Sequence, residues 1–280
     1  MLKRALAVCL VLLPLAASAD EADVHYRTGL EYKRKGDLDL AIGEFEQAIK
    51  LRRDYAAAEF SLGVAYKQRK LFDKAIPHLE RAAQLEPKSN EIHASLGIAY
   101  HFANRDDDAI RELEKSCELN PNDALAQSSL GAIYRQRKDY NKAIPHLEQA
   151  VMLDPKDADA LNNVAIAYRM ANKMPEAEKY LKKAIELKPD DSNFHFNLGV
   201  IYRRQQKVSE AIAEYEKAIK LDERNAPAHY DLGVMYAQQK RNDDAIEQMN
   251  QYLELIASQN PKEADIIRKH IQEMGGKPKH

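Results

Sequence analysis

The chain has 280 residues, with 42 Lys and Arg against 44 Asp and Glu, a formal charge of −2, no Trp and only 10 Gly. So even a balance removes the electrostatic case for a nucleic acid or an anionic membrane as partner. A charged fraction of 31% with 14 Tyr describes a helical chain with wide solvated faces.

Residues 1–19 read as a signal peptide. Lys3 and Arg4 precede an apolar run over 5–15, and Ala17-Ser18-Ala19 forms a small-x-small site for cleavage after Ala19. The run is far shorter than the ~20 apolar residues that span a bilayer. Val8 before Cys9 is too bulky for a lipid-attachment site. Cleavage leaves 40 basic against 44 acidic residues and no membrane span in the mature chain. Export to the periplasm is the expectation, with full secretion as the alternative. Cys117 is then the only mature cysteine, so no intramolecular disulfide forms and stability rests on packing.

From residue 22 the chain repeats every 34 residues without insertion, in units 22–55, 56–89, 90–123, 124–157, 158–191, 192–225 and 226–259. A period of this length indicates stacked supersecondary units instead of one central core. Each unit divides into two apolar patterns of helical period around a short polar break. The eighth position is Gly in six units and Ala165 in the other. The eleventh is always Tyr, the twentieth always Ala and the thirtieth always Leu. Gly inside a helix costs ~1 kcal/mol relative to Ala, so its recurrence predicts close approach of two antiparallel helices. The Tyr and Leu side chains are expected to fill the space between hairpins. Pro87, Pro121, Pro155 and Pro189 mark the end of the second helix. Asp39, Asp73, Asp107, Asn141, Ser209 and Asp243 stand where that helix begins and suit its orphan N–H groups. Pro77 and Pro145 are expected in about its first turn.

This pattern resembles the tetratricopeptide repeat family, over 22–259 and in all seven copies. The matching residues include Leu62, Leu96, Leu130, Leu198 and Leu232 at position 7, the Gly row at 8, Tyr at 11, Ala at 20 and Pro at 32. The resemblance implies an all-α fold, a right-handed superhelical solenoid of antiparallel helix hairpins. Residues 260–274 carry Ala264, Ile267, Ile271 and Met274 at helical spacing and are expected to form a capping helix. The tail 275–280 is expected to be disordered.

No residue constellation points to catalysis. His25, His93, His195 and His229 all occupy position 4 of separate units and cannot converge on one metal. Cys117 stands where other units carry Ile, Val or Ala, as a small apolar side chain would. There is no Walker loop, zinc-ligand pair or nucleophile elbow. No enzyme activity, cofactor or metal is therefore expected.

The resemblance instead points to the first helix of each hairpin, which in this family lines a concave groove through positions 2, 5, 6, 9, 12 and 13. Position 5 is aromatic at the ends, with Tyr26, Phe60, Phe196 and Tyr230, and small or polar in the middle, as at Asn162. Position 6 is a small polar row including Ser61, Ser95, Ser129, Asn163 and Asn197. It is similar to the asparagine ladder of protein O-linked N-acetylglucosamine transferases, matched residue for residue only at Asn163 and Asn197. Position 12 is basic in six units, at Lys33, Lys67, His101, Arg135, Arg169 and Arg203. Such a row either pairs with carboxylates on an extended ligand or offsets helix dipoles at ~0.3–1 kcal/mol each. The two-carboxylate clamp of some family members is excluded, since position 5 holds no Lys. The expected function is a non-catalytic protein-interaction scaffold of the cell envelope that takes an extended or helical segment of another protein. The alternatives are a recruiting subunit for a cell-wall hydrolase or glycosyltransferase and a self-associating structural scaffold.

Overall fold

The computed structural model describes residues 21–279; the signal segment 1–19, with Cys9 and the cleavage site after Ala19, lies outside the described residues. The chain divides into two compact units, Met1–Arg137 and Lys138–His280. The first contains α1 (21–35), α2 (Leu38–Leu51), α3 (Ala56–Gln68), α4 (Phe72–Leu85), α5 (Asn90–Phe102), α6 (Asp106–Leu119) and α7 (Ala124–Gln136). The second contains α8 (Tyr140–Leu153), α9 (Ala158–Met170), α10 (Met174–Leu187), α11 (Ser192–Arg204), α12 (Val208–Leu221), α13 (Ala226–Gln238), α14 (Asn242–Ile256) and α15 (Pro261–Glu273). From α3 onward the odd-numbered helices up to α13 begin at the first residue of a 34-residue repeat.

Within a hairpin the two helices meet at the position-8 glycine. A Cβ built there would lie 2.6 Å from Phe45 at Gly29, 2.6 Å from Leu79 at Gly63 and 2.7 Å from Leu113 at Gly97. These partners belong to position 24 and are fully buried, so the missing Cβ is what lets the second helix bring a large side chain to the seam.

The Tyr at position 11 fills space and also ties hairpins together. In the first unit the hydroxyls of Tyr66, Tyr100 and Tyr134 donate to Glu46, Glu80 and Glu114 of the preceding hairpin at 2.7, 2.5 and 2.5 Å. In the second unit Tyr168 and Tyr236 do the same to Glu148 and Glu216, at 2.7 and 2.6 Å. Packing alone predicts a ring at this position; the phenol adds a hydrogen bond to a charged acceptor.

Helix ends depart from the sequence expectation. Five first helices are capped by Ser89, Asp123, Asp157, Asp191 and Asn225, each the last residue of the preceding repeat, which accept backbone N–H groups. Among the second helices, Asp139 caps α8 by accepting from the Lys142 N–H. Asp39, Asp73, Asp107 and Asp243 sit one residue inside the second helices, where their charge favours the dipole. The N-cap side chains of those four helices make no cap bond. Pro77 is the sixth residue of α4 and Pro145 the sixth of α8, beyond the first turn, so each costs its helix one N–H.

Every first helix ends on a residue with positive φ. Gly36 takes it freely, but Lys70, Asn104, Lys138, Asn172, Gln206 and Lys240 hold φ between 58° and 62° with a side chain attached. A left-handed non-Gly residue costs ~1–2 kcal/mol, partly offset by the chain entropy a Gly would lose. Lys70→Gly and Gln206→Gly are therefore each expected to stabilise the protein by about 0.5 kcal/mol, read as a higher urea midpoint. Asn104→Gly should gain less, because Asn tolerates this region; a fall in midpoint at Lys70 would refute the strain argument.

The last helix covers the apolar end of the second unit. Ala264, Ile267 and Ile271 of α15 bury against Met249, Tyr252 and Leu253 of α14. Asn260 caps α15, and the Tyr252 hydroxyl donates to Glu263 at 2.5 Å. Beyond it the chain makes two contacts with α14. Asn250 donates to the Lys277 carbonyl at 3.3 Å and accepts from the Lys279 N–H at 2.8 Å. Both contacts satisfy polar atoms of the buried Asn250 side chain.

Candidate functional site

Three pairs of successive first helices touch: α3 lies against α5, α5 against α7, and α9 against α11. No comparable contact joins α4 with α6 or α10 with α12. In each unit the first helices therefore form the tighter, inner layer, and their outward-facing residues line its surface.

On that surface position 12 of one repeat reaches position 6 of the next. In the first unit Lys67 Nζ donates to Ser95 Oγ at 3.3 Å. In the second, Arg203 faces the Asp231 carboxylate at 3.5 Å. There Asn197 at position 6 also donates from Nδ2 to Oδ1 of Asn162, at position 5 of the preceding repeat, at 3.1 Å. The polar row and the basic row are thus one interleaved strip in each unit. Asp231 is buried between Arg203 and the Tyr215 hydroxyl, which donates to it at 3.2 Å. Burial raises its pKa, and the nearby guanidinium acts against that rise.

The other predicted residues divide by accessibility. Lys33, Ser129, Arg135, Asn163 and Arg169 are half-buried on the first helices, and Arg135 and Arg169 are already engaged by neighbours. His101 bonds Asp106 at 2.7 Å. Ser61 is buried, which leaves it little surface for a ligand. The aromatic side chains at position 5 are half-buried, and three of them pack on their own hairpin. Tyr26 contacts Phe45, Phe196 contacts Tyr215 and Tyr230 contacts Tyr252, with ring centroids 5.9, 5.9 and 5.2 Å apart. Phe60 is half-buried too. These rings support the inner face more than they project from it.

Comparison with known proteins follows this geometry. The family described as the cilia and flagella-associated protein 70 C-terminal domain, a tetratricopeptide-repeat domain, matches residues 12–230, and the tetratricopeptide repeat family matches 202–265. The chain belongs to the tetratricopeptide-repeat (TPR) family. No curated protein matches it by sequence. Among solved structures it resembles MamA from Desulfovibrio magneticus at 25% identity and a TM-score of 0.58, over 61% of this chain and 96% of that one. Two others, at 19% identity, show the shared fold alone. PilF of Pseudomonas aeruginosa has a TM-score of 0.64 over 78% of this chain and 96% of its own. YrrB, described as a TPR protein with an unusual peptide-binding site, has 0.57 over 70% and 97%. The fold is thus all-α and TPR-like, an α-α solenoid, and the family supports a protein-interaction scaffold.

The polar groups away from the inner face have structural work in the TPR hairpins. His25, His93 and His195 bond Glu44, Glu112 and Glu214 across their own hairpins at 2.6 to 2.7 Å. In the second repeat the pair is reversed, with Glu59 bonded to His78 at 2.6 Å. His93 and His195 also bond the carbonyls of Pro87 and Pro189, at 3.1 and 2.9 Å, and so join a first helix to the turn before it. No group of three His, Cys, Asp or Glu among the described residues could hold a metal ion. Burial, with Asp123 and Glu114 nearby, pushes the Cys117 thiol up to about 11, which keeps it protonated at neutral pH. No helix among the described residues is long and apolar enough to cross a membrane.

One inner-face residue escaped the sequence reading. Phe102, at position 13, is 59% exposed. The signal for it was present, because the other units carry Arg34, Gln68, Gln136, Met170, Arg204 and Gln238 there.

Proposed function

We propose that the protein is a non-catalytic scaffold of the cell envelope that holds a segment of another protein along the inner face of its first helices. The observation that carries this reading is the interleaved strip, in which Lys67 meets Ser95, Asn197 meets Asn162 and Arg203 meets Asp231. A surface of alternating amides, hydroxyls and cations offers donors and acceptors to an extended backbone and charge to its acidic side chains. The peptide-binding site ascribed to YrrB is consistent with such a use of the TPR fold. Location in the envelope rests on the signal pattern of 1–19, and N-terminal sequencing of the expressed protein should find Asp20 first.

The reading is tested with a photo-crosslinking residue placed at Asn162 or Ile166 on the inner face, and at exposed Lys183 on α10 as the outer control. The inner positions are expected to trap the same discrete partners in cells, and Lys183 to trap none of them. Equal capture from both faces, or none from the inner one, would defeat it. Crosslinks between two copies of the chain would mean self-assembly instead. A cell-wall hydrolase or glycosyltransferase recovered in stoichiometric amount would identify a recruiting subunit.

A further inference from the structure

The inner face of the first unit contains two cations that the fold leaves without a carboxylate. Of the position-12 row, His101 is bonded to Asp106, Arg203 faces Asp231, and Arg135 and Arg169 are not free. Lys33 and Lys67 are half-buried, and among the described residues neither pairs with Asp or Glu; Lys67 has the neutral Ser95 hydroxyl at 3.3 Å. Burial lowers the pKa of both ammonium groups, and at Lys67 the charge of Lys33 adds to that effect. Two partly desolvated cations at the same position of successive first helices are unfavourable until an anion joins them.

Beside this pair is an apolar depression. Along α5, Ser95, Ile98 and Phe102 follow at spacings of 3 and 4 and share one helix face. Ile98, His101 and Phe102, with Leu113 below and Ser129 and Ala132 on α7, line a hollow of about 230 Å³. Phe102 forms its exposed wall, and its ring is stacked on Phe72 with centroids 5.0 Å apart. The stacking favours this orientation of the ring, and the hollow is roomy enough for one large aliphatic or aromatic side chain.

We propose that the first unit recognises an extended peptide carrying a carboxylate side chain for Lys33 and Lys67 and, a few residues away, one bulky apolar side chain for the hollow between Ile98, Phe102 and Ala132. The proposal rests on the inner-face reading above and names the ligand class for one part of that face. Charge complementarity selects an acidic segment, and the hollow sets it apart from a merely acidic one.

The test is fluorescence anisotropy with the mature full-length chain. The probes are labelled peptides in which Glu-Glu and Phe are separated by two to five Ser. At least one spacing should bind, and should weaken about tenfold when Glu is replaced by Gln or Phe by Ala. The double variant Lys33→Gln/Lys67→Gln should lose about tenfold and most of the salt dependence. Ala132→Trp, which fills the hollow, should lose the preference for Phe. Phe102→Ser, an exposed change, repeats that test if Ala132→Trp fails to fold. The proposal is overturned if no spacing binds better than the Gln and Ala controls, or if the lysine variant binds unchanged. Partners trapped at Asn162 with no peptide binding would sink this inference while leaving the inner-face reading standing.

Discussion

Gly199→Ala is expected to destabilise the second unit by about 2–3 kcal/mol, while Gly233→Ala should be close to neutral. A Cβ at Gly199 would lie 2.6 Å from both Cδ1 and Cε1 of Tyr215. That ring cannot turn aside cheaply: it is fully buried, packs on Phe196 and is tethered by its hydroxyl to Asp231. At Gly233 the nearest atom is Met249 Cγ at 3.0 Å, part of a flexible side chain. There the ~1 kcal/mol gain in helix propensity offsets the crowding. The fifth repeat shows the compensated arrangement, with Ala165 in place of Gly and fully buried Leu181 at position 24. The double variant Gly199→Ala/Tyr215→Leu recreates that pair. It should be more stable than the sum of its single changes by at least about 1 kcal/mol. Urea unfolding by circular dichroism checks this, with m-values compared because repeat arrays need not unfold in one step. Strict additivity would mean that the ring is not the obstacle.

Stability should fall steeply between about pH 10 and 12. Tyr55, Tyr66, Tyr180 and Tyr236 are each pushed up to about 12 from an ordinary 10.0, by burial first and then by bonding to a carboxylate. Tyr100, Tyr168, Tyr215 and Tyr252 are raised further. A phenol whose folded pKa is raised loses its proton first in the unfolded chain, so the folded state binds more protons across this window. The contribution is complete below about pH 10 and is lost as pH rises through the folded value. Lys33 and Lys67, with lowered pKa, act with the opposite sign but are only two. Urea midpoints measured at pH 8, 9.5, 10.5 and 11.5 should trace the decline. Tyr66→Phe/Tyr236→Phe should lose ~0.5–1.5 kcal/mol per bond at pH 8 and show a shallower decline above pH 10. An unchanged slope would remove the tyrosine latches from the explanation.

These two expectations differ in how far they could be read from the sequence. Gly at position 8 and Ala at position 20 recur every 34 residues, and a helix interior has few other reasons to keep Gly. The close seam was therefore legible. The tyrosine latch was not, because its Glu lies 20 residues earlier on a different hairpin. A Glu is not unusual for a helix face, and the Tyr reads as a packing ring. The same holds for the pairing of His25 with Glu44 and its reversal at Glu59 and His78. The candidate surface could be named from the family pattern as a set of positions, but not what each of its side chains contacts. Tyr26, Phe196 and Tyr230 turned out to support their own hairpins, Ser61 to be buried and Arg203 to face Asp231.

The sequence by itself determined the number and phase of the hairpins and the small residues at their seams. Those properties depend on spacing along one helix or between neighbours in the chain, and a 34-residue period repeats them seven times. Only the tertiary structure decided which charges are spent within the fold. A cation at position 12 reaches a side chain 28 residues away on the next hairpin, and whether that side chain is Ser95 or Asp231 makes it available or neutralised. That separates Lys33 and Lys67 from the four other members of a row that looks uniform in sequence.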